Sequence, residues 1–131
     1  MLVELAVDSG ATDSVIPADA LSAIPTVEGE ASSRRGVLYE VADGTQIPNL
    51  GEKRFTAFTE EGAEKQLVLQ VCEVNQGLIS ASKLAAAGGR VMLDDAESYV
   101  ENKASGHRTW LKNRNGMFIL SLWVRRQQSP F

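Results

Sequence analysis

Turn-forming residues punctuate this chain about every ten residues, and short runs rich in valine, leucine, isoleucine and phenylalanine lie between them. Runs of that length, bounded by Gly, Pro, Asn and Asp, predict an all-β, mainly antiparallel domain. Residues 2–7 read as a first strand that ends in the turn formers Asp8, Ser9 and Gly10. Residues 12–16 resume an extended course, and Pro17 stands where it would open a short helix over 17–21. The polar stretch 28–35 reads as a surface loop.

Residues 37–41 and 45–47 flank Asp43-Gly44, a pair suited to a tight type I′ turn, and so predict a hairpin. Residues 55–59 and 66–74 are two further strands, linked through Glu60-Glu61-Gly62. One segment reads as a helix, 80–87: Ser80 can cap its start, and Gly88 suits the left-handed position past its end. Strands at 90–93, 98–102, 108–111 and 117–124 follow, the last two joined by a turn containing Asn115-Gly116. There is no internal repeat, so the chain reads as one domain over 1–124 with a tail at 125–131, not as two copies of one half.

Composition narrows the chemistry. A chain of 131 residues, 44% hydrophobic and 23% charged, suits one modest core. Its net charge of −4 argues against direct nucleic-acid binding, and the short pairs Arg34-Arg35 and Arg125-Arg126 read as solvated surface. A single cysteine, Cys72, rules out an internal disulfide and reads as a buried structural thiol. The lone His107 has no His or Cys partner, so no metal site is expected. No apolar run approaches the ~20 residues of a membrane-spanning helix. The opening Met1-Leu2-Val3-Glu4-Leu5 does not read as a secretory signal, so a cytoplasmic, reducing location is expected.

The strongest chemical signal is Leu5-Ala6-Val7-Asp8-Ser9-Gly10-Ala11-Thr12. Asp-Ser-Gly after a strand is by itself ordinary turn chemistry. Here apolar residues precede the acid, a small residue follows the glycine, and Val15-Ile16 comes soon after. An acid in that setting is partly desolvated, as functional carboxyls are.

The segment resembles the active-site loop of retropepsins, the homodimeric aspartic proteases of retroviruses and retrotransposons, and most of all those of copia-type retrotransposon polyproteins. Further segments carry the resemblance in order along the chain. Tyr39-Glu40-Val41-Ala42-Asp43-Gly44-Thr45-Gln46-Ile47, followed by Gly51, is similar to the flap hairpin of that group. Gly77-Leu78-Ile79-Ser80-Ala81-Ser82-Lys83-Leu84, with Gly88, resembles its apolar segment running into a helix. Arg90-Val91-Met92-Leu93 and the stretch 113–120 around Gly116 continue the series.

The resemblance implies a closed, barrel-like retropepsin fold and a homodimeric endopeptidase that cleaves a polyprotein without a cofactor. Asp8 would be the catalytic acid, one from each of two copies sharing a proton. Ser9 and Gly10 would form the active-site loop and brace the dimer. Ala11, Asp13, Val41, Ala42, Asp43, Gly44, Leu78 and Ile79 would line the path of the polypeptide substrate. Ser80 stands where many retropepsins have glycine. A second reading is a retropepsin-derived module that has lost catalysis and serves dimerisation or peptide binding.

Overall fold

The computed structural model describes residues 1–29, 38–40 and 43–126. Strand β1 (Leu2–Asp8) is the strand that organises the site. Val3 and Leu5 alternate inward, as a half-buried strand requires, and β1 is paired on both edges. One neighbour is β12 (Met117–Val124), antiparallel from Leu2↔Trp123 to Ala6↔Ile119. The other is the short β7 (Leu78–Ser80), parallel, with Asp8 opposite Ser80.

The larger sheet continues through β2 (Val15–Pro17), β6 (Glu64–Cys72) and β5 (Gly51–Phe58) to β12 again, and then to β11 (Lys112–Arg114). Its longest ladder is β5–β6, in register from Gly51↔Val71 to Phe58↔Glu64. Among the described residues only β1–β7 and β2–β6 run parallel, and these residues are mostly antiparallel β with one short helix. Phe55, Leu5, Ile16, Leu69, Leu122 and Val71 are the largest apolar side chains fully withdrawn from solvent, and Ile79 and Leu120 pack with them. Burying each of these side chains stabilises the fold by roughly 1.5–3 kcal/mol, which fixes the strands that carry the site.

The helix, α1 (Ala81–Ala86), forms where its caps predict. Ser80 accepts a hydrogen bond from the Lys83 N–H at the first turn, and Gly88, at φ +92°, donates back to Ala85 at 3.1 Å. Beyond it β8 (Gly89–Met92), β9 (Tyr99–Asn102) and β10 (Arg108–Trp110) form a separate three-stranded sheet. There the Arg108 guanidinium lies 4.1 Å from the Tyr99 ring centre, and Trp110 meets Tyr99 edge-on at 5.3 Å.

Three local expectations are corrected. Residues 17–21 form no helix: Pro17 closes β2, and 18–23 is a succession of turns. The Ala20 N–H bonds the Pro17 carbonyl, the Ile24 N–H bonds that of Leu21, and Leu21 itself adopts φ +52°, which no right-handed helix accommodates.

The hairpin forms from β3 (Leu38–Glu40) and β4 (Gln46–Pro48), but its register pairs Glu40 with Gln46. Residues 41–45 therefore lie between the strands, where a two-residue turn at Asp43-Gly44 would have paired position 40 with 47. Gly44 has φ +86°.

Finally, the strand joined to β12 across Asn115-Gly116 is β11, with Arg114↔Met117, whereas β10 pairs with β9. Asn115 and Gly116, at φ +53° and +80°, have the left-handed pair of a type I′ turn. Of the tail, Arg125 and Arg126 belong to the described residues, and 127–131 lie outside them.

Candidate active site

Asp8 ends β1 where the strand gives way to a loop over 9–14. Its carboxylate accepts the Gly10 N–H at 2.8 Å, a bond that folds the loop back over the acid. A side chain at position 10 would place its Cβ 3.4 Å from the same carboxylate oxygen, so glycine keeps that approach uncrowded.

The loop is held from beneath by fully buried Ser80. Its hydroxyl donates to the Ala11 carbonyl at 2.7 Å, and its N–H donates to the Ser14 hydroxyl at 2.9 Å. The Ser14 carbonyl in turn accepts the Gln70 N–H of β6 at 2.9 Å. Asp13 is engaged on both oxygens: Tyr39 of β3 donates to one at 3.1 Å, and the Lys83 ammonium of α1 stands 3.5 Å from the other.

Above the loop opens a cleft of about 950 Å³. Asp8, Gly10, Ala11 and Asp13 form its floor side; Leu78 borders it from β7, and Asp43 and Gly44 from the hairpin. Ile47, Val15 and Val74 add apolar wall. The Thr45 hydroxyl and N–H both bond the exposed Asp43 carboxyl and hold it below the usual carboxylate range. Cys72 is buried at the edge of the cleft, and burial pushes its thiol upward, which keeps it protonated and a poor nucleophile.

Seven residues expected from the sequence thus meet in one cleft: Asp8, Gly10, Ala11, Asp13, Asp43, Gly44 and Leu78. Two others do not line it. Ile79 points into the hydrophobic core, because Leu78 and Ile79 are adjacent in a strand and face opposite ways. Ser9 is exposed beside the cleft. Val41 and Ala42 lie outside the described residues.

Sequence reading missed what supports the loop. Tyr39 has no role of its own in the strand pattern, and neither have Asn49 or Gln70, yet the three are linked by hydrogen bonds. The one local signal was Asn49 two residues before Gly51, an arrangement in which an Asn side chain bonds the backbone ahead of it, here at 2.8 Å.

Among the described residues no group of three or more His, Cys, Asp or Glu side chains is placed to hold a metal ion, and no helix is long and apolar enough to cross a membrane. No family model matches the chain, and no curated protein or solved structure matches it either.

Proposed function

We propose that the chain is one protomer of a homodimeric aspartic endopeptidase of retropepsin type, in which Asp8 supplies one of two catalytic carboxyls. The observation that carries this reading is the cleft. It gathers the Asp8 loop, Leu78 and the Asp43-Gly44 end of the hairpin, three segments far apart in sequence. The pairing of β1 with both β7 and β12 supports the finer part of the proposal, a closed, barrel-like retropepsin fold. The exposure of Ser9 in the single chain supports its assignment to the dimer brace.

In the assembled site two Asp8 carboxyls face each other across a two-fold axis. Like charges so close resist joint ionisation, so the pair holds one proton between them. The ionised carboxylate takes a proton from a water molecule as the oxygen attacks the scissile carbonyl. The protonated carboxyl gives its proton to the carbonyl oxygen. Breakdown of the tetrahedral intermediate then returns a proton to the leaving amine and restores the shared-proton pair. Acid and base are both supplied by the carboxyls, so the chemistry calls on no cofactor. The hairpin covers the peptide and limits water, and the substrate is an extended segment of a polyprotein, processed in the cytoplasm.

The test is cleavage of a peptide library by the wild type and by Asp8→Asn over a dilution series, with sedimentation followed in parallel. Specific activity that rises as monomers associate, and vanishes in Asp8→Asn, is the expected result. Undiminished cleavage by the variant, or a fully active monomer, overturns the assignment. Peptide binding without cleavage by the associated wild type identifies the lapsed module instead.

A further inference from the structure

We propose that Tyr39 is a positioning residue that fastens the hairpin to the Asp8 loop, and that Asp13 serves this fastening and not the substrate. The functional consequence rests on the protease reading; the fastening itself does not.

The hairpin needs such a tie. Strands β3 and β4 form a two-stranded sheet of their own, and among the described residues no backbone hydrogen bond joins them to the larger sheet. An isolated two-stranded hairpin is marginal in water, so its place over the cleft has to come from side chains.

A chain of four side chains supplies it. Gln70 of β6 accepts one Asn49 amide hydrogen at 2.8 Å, and the Tyr39 oxygen accepts from the same amide at 2.9 Å. The Asn49 carbonyl is itself taken by the Gly51 N–H at 2.8 Å, which fixes which end of the amide donates. Because Asn49 donates to the phenol oxygen, the phenol proton is left to point elsewhere, and 3.1 Å away is Asp13. Each link has one donor and one acceptor: Asn49 donates both to Gln70 of β6 and to Tyr39, and Tyr39 donates onward to the loop.

The phenol is a durable donor. Burial, opposed in part by the Asn49 bond and assisted by the Asp13 charge, pushes Tyr39 up to about 12. It keeps its proton through any pH at which a shared-proton carboxyl pair works. Asp13, by contrast, is already occupied on both oxygens, by Tyr39 and by Lys83. Both partners hold that carboxylate toward the hairpin and α1, and the Lys83 charge offsets its own.

The arrangement fixes the stem of the hairpin and leaves its Asp43-Gly44 end, exposed and in a five-residue connection, to adapt to a bound peptide. Position and adaptability are thus divided along one hairpin.

Hydrogen exchange on the full chain tests the fastening directly. Tyr39→Phe and Asp13→Ala should each lower protection of the amides in 38–40 and 46–47 by about tenfold, the scale of one hydrogen bond to a charged group. The β5–β6 ladder should exchange as in wild type, which reports an intact fold. The double variant should lose no more than the worse single one, because both remove the same bond. Unchanged hairpin protection in Tyr39→Phe, or additive losses, overturns the proposal.

A second measurement tests the role of Asp13. Across peptides varied one position at a time, both variants should lower cleavage by a common factor. A changed preference at one peptide position in Asp13→Ala alone would make Asp13 a substrate acceptor and overturn that half. If wild type cleaves no peptide the protease reading fails, while the exchange result still decides the fastening.

Discussion

The hydroxyl of Ser80 lies 2.7 Å from the carbonyl oxygen of Ala11. The Ser80 hydroxyl oxygen accepts the Lys83 N–H at 3.2 Å, so one buried side chain caps α1 and clamps the loop that follows Asp8. Its own N–H holds the Ser14 hydroxyl, which fixes the loop at a second point. Ser80→Ala removes the cap and leaves a carbonyl without its donor. Stability should fall by about 1–3 kcal/mol, read from urea unfolding. Cleavage should fall further than the fraction of folded protein explains, because the loop loses its clamp. A variant with wild-type stability would show that the clamp contributes nothing.

Asp8 separates chemistry from architecture. Its carboxylate accepts the Gly10 N–H at the exposed start of the loop. Asparagine keeps an acceptor oxygen there and alanine does not. Asp8→Asn should therefore abolish cleavage while its unfolding free energy stays within about 0.5 kcal/mol of wild type. Asp8→Ala should also be inactive and lose roughly 0.5–1 kcal/mol more, the worth of one exposed hydrogen bond. Equal losses of stability in the two variants would show that the bond to Gly10 does not matter.

These two side chains also show what the sequence could and could not disclose. The capping role of Ser80 was legible because a cap is a local pattern, three residues from the N–H it accepts and closed by Gly88. The clamp on Ala11 was not, since it joins residues that only the β1–β7 pairing brings together. The strands were legible wherever apolar residues alternate. The neighbours Glu52 and Lys53, both buried in β5, break that alternation for tertiary reasons. Lys53 serves carbonyls in the 18–23 turns, while Glu52 pairs with Arg54 at 2.8 Å. The turns at 18–23 were misread because proline favours a helix start, and nothing local announces that Leu21 turns left-handed. Asp8, Gly10, Ala11 and the hairpin end were found because short motifs specify them. Tyr39, Asn49 and Gln70 were missed because their meaning lies in contacts across strands.

Lys53 offers a test with a definite sign. Its ammonium donates to the carbonyls of Ala20 and Leu21, both at 2.8 Å. Burial lowers its pKa below the ordinary 10.5. A group that releases its proton sooner when folded contributes stability that grows as pH rises toward 10.5, and loses it as pH falls through the folded value. Methionine at 53 has no proton to release and leaves both carbonyls without that donor. Lys53→Met should cost about 1–3 kcal/mol at neutral pH. The gap between wild type and variant should widen as pH is raised toward 10.5. A gap that narrows over that range would mean the ammonium is stabilised by its site, against the present account.

Tyr39 should show the opposite slope. Its phenol, ordinarily at 10.0, is held at about 12 in the folded chain, with burial as the leading cause. The unfolded chain therefore ionises first as pH rises. Stability contributed by this proton is fully present below pH 10 and is lost progressively as pH climbs toward 12. Phenylalanine at 39 has nothing to ionise. Tyr39→Phe should be less stable than wild type at neutral pH, because the Asp13 carboxylate loses its donor. The difference should then shrink as pH rises above 10. Lys53 and Cys72 also titrate in alkali, but they are common to both proteins and cancel in the comparison. Urea unfolding midpoints of the two proteins, measured in steps from neutral pH upward, read this directly. A difference that stays constant across the alkaline range would show that the phenol is as ready to ionise in the folded chain as in the unfolded one. Burial and the Asp13 charge would then not be holding its proton.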